Sequence, residues 1–149
     1  MSATMPPDPA WEQKIRDSFA RQGYMAHLGA ALTRLEPGLV EIEVGFRPEL
    51  TQQHGFFHAG VTASLADTAG GYAGFSLFPA DSSVLTVEFK INLVAPAKGE
   101  RLRARGKVVK AGRTLTICEL EAFALLGERE ILCATGLQTL ICLNGRADG

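Results

Sequence analysis

The chain has almost no net charge, few cysteines and no long apolar run. Fifteen Lys and Arg residues against sixteen Asp and Glu leave a formal net charge of −1 over 149 residues. That balance excludes nucleic-acid binding through bulk charge. No apolar stretch approaches the roughly 20 residues needed to cross a bilayer, and the leader MSATMPPDPAWEQ lacks the basic and apolar blocks of a secretory signal. We therefore expect no nucleic-acid or membrane partner. The three cysteines, Cys118, Cys133 and Cys142, are odd in number and form no C-x-x-C pair. This spacing argues against structural zinc and a disulfide framework and for a reducing, cytoplasmic setting. His54 and His58 lie four apart with no third ligand in view, so no metal is expected.

Glycine, by contrast, is abundant: sixteen residues against eleven aromatics. A hydrophobic fraction of 46% in a chain of this length predicts one domain over 1–149 with a real core, flanked by flexible tails at 1–7 and 144–149. Asp8-Pro9 reads as the cap and first position of a helix. Trp11, Ile15 and Phe19 give that helix one apolar stripe, and Gly23 is placed to end it. The period changes to two from His27. Strands are expected over 28–35, over the alternating Val40, Ile42, Val44 and Phe46, and then over 84–95, 100–110, 114–126 and 129–143. The short separators at 96–99, 111–113 and 127–128 read as hairpin turns, giving an antiparallel meander. Between the two β regions, 61–78 is apolar on nearly every face, the mark of a buried helix. Gly70, Gly71 and Gly74 weaken it by about 1 kcal/mol each relative to Ala, a loss that suits a close approach, which we expect to be to a second copy. The sum is an α+β fold: one central helix wrapped by a curved antiparallel sheet of five to six strands, with an N-terminal helix.

Three features carry chemistry. Asp67 sits mid-helix among apolar residues, with no Lys or Arg from Gln52 to Ala80. A carboxylate there needs hydrogen bonds or a solvated cavity, and it suits a general base or nucleophile. Next, the loop 52–60 runs through His58, Ala59 and Gly60 into the helix start, where unpaired backbone N–H groups can hold a developing oxyanion. His58 is expected to fix this loop through a hydrogen bond. His58 and Asp67 are nine residues apart, roughly 13 Å along a helix. Either the two do not cooperate, or the loop of one chain meets Asp67 of a second copy. Lastly, Arg101, Arg103, Arg105, Lys107, Lys110 and Arg113 form a basic face. It is either a solvated sheet surface or a phosphate site, which the hairpin at Gly112, Arg113 and Thr114 suits best. The cysteines read as small core residues, and Phe56, Phe57, Tyr72 and Phe75 either as pocket lining or as plain core.

These residues resemble the PaaI-like hotdog-fold acyl-CoA thioesterases. The resemblance rests on His58-Ala59-Gly60 followed by Asp67, with Gln52 and Gly55 before it, the stretch 86–99 and the hairpin 108–114 after it. It spans roughly 28–142. It implies hydrolysis of an acyl-CoA, aryl or of short to medium chain, to free acid and coenzyme A. No cofactor is implied, coenzyme A being part of the substrate. Asp67 matches the family's general base or nucleophile, and the Ala59 N–H, with Gly60 beside it, the oxyanion donor. Gln52 stands where the family usually has Asn and contacts the thioester or the water. Thr86 matches a hydroxyl that orients the water. The hairpin bearing Lys110, Arg113 and Thr114 resembles the coenzyme A side. The family's carboxylate and loop come from opposite subunits, which implies a homodimer with shared sites and a dimer of such dimers. Gln52 is a methylene longer than Asn, and Ala59 adds a methyl where Gly is usual. Two other readings remain: an enoyl-CoA hydratase or dehydratase using His54, and a non-catalytic acyl-CoA binder.

Overall fold

A computed structural model describes residues 5–149, and the part of the expected leader at 1–4 lies outside them. Helices α1 (Trp11–Ala20) and α2 (Gly23–Leu28) precede strands β1 (Ala31–Glu36) and β2 (Leu39–Gly45). The long helix α3 (Ala59–Phe75) follows, and then strands β3 (Ser82–Leu93), β4 (Arg101–Ala111), β5 (Leu115–Leu126) and β6 (Arg129–Asn144). The six strands form one antiparallel sheet in the order β1-β2-β4-β5-β6-β3, wrapped on α3 as expected.

Several local expectations are corrected. Gly23 does not end helical structure; it opens α2, whose C-terminal Gly29 takes the left-handed conformation and delays β1 to Ala31. Asp8 does not cap α1 directly. Its carboxylate accepts the N–H of Ala10, the residue immediately before the helix, and it pairs with Lys14. Residues 96–99 are not a hairpin either. β3 pairs with β6 at the sheet edge, so this segment carries the chain across to β4, which pairs with β2. Only β4-β5-β6 is a meander. At the C-terminus β6 runs to Asn144, and Asp148 pairs with Arg21, the residue that follows α1.

Small residues allow α3 to lie close on the sheet. Ala104, Ala122 and Ala134 of the sheet are fully buried in the same core cluster as the α3 residues Leu65, Ala66 and Ala69. A Cβ on Gly106 of β4 would fall on the backbone of Gly70, and a Cβ on Gly74 would fall on Leu140. These glycines therefore serve a close approach to the chain's own sheet, not to a second copy. Gly71 differs, since nothing lies within 4 Å of where its Cβ would be. Gly106→Ala is therefore expected to cost about 3 kcal/mol, because backbone cannot yield as a side chain does. Gly71→Ala is expected to gain up to about 1 kcal/mol from helix propensity. Urea unfolding of the two variants should give shifts of opposite sign.

The three arginines of β4 in the basic face are not a free phosphate site. Arg105 and Arg103 lie opposite Glu41 and Glu43 in the β2–β4 register. Arg105 Nε meets Glu41 at 2.7 Å, and Arg103 Nε meets Glu43 at 2.8 Å. Arg101 reaches Glu43 at 2.7 Å, and Arg103 also reaches Glu130. These are cross-strand ion pairs that fix strand register. The cysteines are buried core, as expected, and burial pushes the Cys118 thiol up to about 12 and that of Cys133 to about 11.

Candidate active site

The loop before α3 is held by its own backbone and by Gln52. Gln52 N–H donates to Phe56 O at 2.9 Å, and Gly55 N–H donates to Gln52 O at 3.0 Å. Gly55 sits at φ +78°, where glycine is favoured. The Gln52 side-chain oxygen accepts the His54 N–H at 2.5 Å and the Phe56 N–H at 3.4 Å. Its Nε2 then has no acceptor among the described residues. Phe57 N–H donates to Ala97 O and His58 N–H to Leu50 O, anchoring the loop to both flanking segments.

His58 is the N-cap of α3, and its Nδ1 accepts the Gly60 N–H at 2.8 Å. In the neutral ring the proton then resides on Nε2. This is the loop-fixing role expected of His58, and it has a consequence for the oxyanion donors. The Gly60 N–H is engaged, whereas the Ala59 N–H has no partner among the described residues. Ala59 lines a cavity of about 490 Å³ with Gln52, Phe56, Phe57, Thr62 and Cys133, the far wall being residues 93–97. The positive end of the α3 dipole faces this region.

Asp67 lies two turns along α3, roughly 12 Å from Ala59, on a different cavity of about 390 Å³. Gln22 and Tyr24 from the N-terminal helical segment line it too, with Gly71, Tyr72 and Thr86. The missing side chain of Gly71, one turn beyond Asp67, keeps this space open. Asp67 is half-buried rather than sealed in the core. Thr86 Oγ1 donates to Asp67 Oδ1 at 2.7 Å, so the hydroxyl expected to orient a water orients the carboxylate itself. Tyr72 closes one end, its hydroxyl joined to Ser18 and Gln22 at 3.1 and 2.8 Å, and burial raises its pKa.

A second donor to Asp67 is absent from the sequence reading. Gln138 of β6, 1% exposed, donates from Nε2 to Asp67 Oδ1 at 2.6 Å and to the Asp67 carbonyl at 3.0 Å. A sequence signal existed: in an apolar strand, Gln138 shares the inward parity of Leu140 and Cys142. Asp67 Oδ2 has no hydrogen-bond partner among the described residues.

The remaining expected residues lie elsewhere. Lys110, Arg113 and Thr114 are exposed at the β4–β5 hairpin and line none of the described cavities. Phe75 is fully buried core and lines none either. His54 is exposed beside Phe56. One helix thus carries two separate features: a donor-bearing loop at its start and a carboxylate further along, on different cavities.

Residues 54–130 match the model of the thioesterase superfamily. The chain is 27% identical over 135 residues to a proofreading thioesterase, EntH, of Klebsiella pneumoniae, covering 88% of this chain and 98% of that protein. It is 31% identical over 128 residues to a putative esterase of Saccharolobus solfataricus, covering 86% and 83%. Among solved structures, a thioesterase family protein from Silicibacter pomeroyi matches at 50% identity with a TM-score of 0.89, covering 91% of this chain and 99% of that one. The PaaI protein of E. coli shares the fold at 18% identity, with a TM-score of 0.81 and coverage of 91% and 95%.

Proposed function

Since the chain belongs to the thioesterase superfamily, with the hotdog fold, we propose that it hydrolyses an acyl-CoA thioester in a site shared by two copies of the chain. One observation carries this reading. The free Ala59 N–H and the Asp67 carboxylate open onto separate cavities of the same chain, so a single thioester cannot meet both unless a second copy supplies one of them.

The edge strand β3 supports that pairing. It is twelve residues long and holds Thr86, and Leu85, Val87, Phe89 and Leu93 along it are exposed, Val87 by 57%. A long edge carrying apolar side chains is a template for another strand. Antiparallel pairing of two β3 edges would cover these side chains and bring each Asp67–Thr86 pair toward the partner's half of the interface.

In the assembled site the Ala59 N–H stabilises negative charge on the thioester oxygen, and Gln52 Nε2 is a second donor. Asp67 Oδ2 either takes a proton from water as the water oxygen attacks the carbonyl carbon or attacks that carbon itself. The C–S bond then breaks, and the sulfur leaves as the thiolate of coenzyme A. On the second route this leaves a mixed anhydride on Asp67, whose acyl–Oδ2 bond a water then cleaves to restore the carboxylate. Water supplies the oxygen and protons of the free acid and thiol. The exposed Lys110 and Arg113 suit the phosphates of coenzyme A, and the cavity over Gly71 suits an aryl or short to medium acyl group. His54, on which a hydratase would depend, lines none of the described cavities.

A thiol-release assay over aryl and aliphatic acyl-CoAs tests the proposal. We expect stoichiometric free thiol and acid from at least one of them. Binding without thiol release across the panel, or hydration of an enoyl-CoA with the thioester intact, would overturn it.

A further inference from the structure

Gln138 is a poor choice for stability where it stands. Its Oε1 is buried and unpaired, a condition that costs more than an apolar side chain of the same shape. Turning the amide over would place Oε1 against the Asp67 and Thr86 oxygens, acceptor facing acceptor, so the observed orientation is fixed. Nε2 then has three acceptors: Asp67 Oδ1 at 2.6 Å, the Asp67 carbonyl at 3.0 Å and Thr86 Oγ1 at 3.1 Å. The fold also makes room for this amide. A Cβ on Gly70 would fall on Gln138 Oε1, and Gly106 lets that stretch of α3 approach the sheet.

We infer that Gln138 is the positioning residue of Asp67: with Thr86 it pins Oδ1 and leaves Oδ2 as the oxygen that reacts. The role rests on Asp67 being the reacting carboxylate of the thioesterase proposed above. It accounts for a half-satisfied amide in an apolar wall, which packing alone does not.

The test is Gln138→Met in the full chain, which keeps the length of the side chain and removes its N–H donors. Losing hydrogen bonds to a charged group corresponds to a fall in kcat of about 10- to 100-fold. KM should stay within about twofold, and the thermal midpoint should be unchanged or higher, because the unpaired oxygen goes too. A crystal structure of the variant should show the Asp67 carboxylate turned from its place beside Thr86. An unchanged kcat, a kcat that falls only in step with the folded fraction, or an unmoved carboxylate would each overturn the inference. Gln138→Leu serves the same comparison if the Met variant does not fold. An inactive wild-type protein would overturn the thioesterase reading and with it the reacting role of Oδ2, whereas an unmoved carboxylate in the variant of an active enzyme would overturn the positioning role alone.

Discussion

Asp67→Asn is expected to lower kcat for acyl-CoA hydrolysis by about 10²- to 10⁴-fold, the range a positioned general base contributes. The substitution is selective because the two carboxylate oxygens differ. Oδ1 accepts from Thr86 and Gln138, and the Asn carbonyl can accept the same two bonds. Oδ2, with no partner among the described residues, becomes an NH₂ that neither takes a proton from water nor attacks a carbonyl. The fold should therefore keep its thermal midpoint within a few degrees while turnover is lost. Steady-state kinetics together with a melting curve check both halves. Activity near that of the wild type would remove Asp67 from the chemistry.

Much of the architecture is legible in the sequence because it follows from local periodicity. The all-round apolar character of the central helix marks its burial, and alternation marks the strands. Strand order is not local. The placement of β3 beside β6 depends on which edge is left when β2 pairs with β4, and nothing in residues 96–99 distinguishes a crossing from a hairpin. The same limit explains α2: six residues followed by a left-handed glycine leave too short a period to read.

The site shows a similar division. Asp67 stands out as a charge in an apolar helix, and the loop stands out because small residues lead into a helix start. The partner of each group comes from another strand or from the competition for a single donor. Gln138 is seventy-one residues from Asp67, and only the register of β6 aims its amide at the carboxylate. That the Ala59 N–H is free while His58 holds the Gly60 N–H is a matter of side-chain rotation. The glycines divide likewise: their number is plain in the sequence, but only the packing separates Gly70, Gly74 and Gly106, which allow close approach, from Gly71, which leaves space.

The proposed sharing of the site between two copies makes a prediction of its own. Ala59→Pro removes one N–H and little else. Proline is suited to the first helical position, and the preceding His58, at φ −62° and ψ 140°, already has the extended conformation that a following proline demands. Losing an oxyanion donor costs about 10²- to 10³-fold in kcat. Homodimers of this variant, like those of Asp67→Asn, are thus expected to be nearly inactive. A mixed dimer, however, has one site with both defects and one with neither.

The most direct test of the account is to unfold and refold the two variants together in equal amounts and measure acyl-CoA hydrolysis. A site built from two chains predicts recovery to about a quarter of the wild-type specific activity, because half of randomly assorted dimers are mixed and each carries one intact site. Activity no greater than the mean of the two variants refolded separately would contradict it.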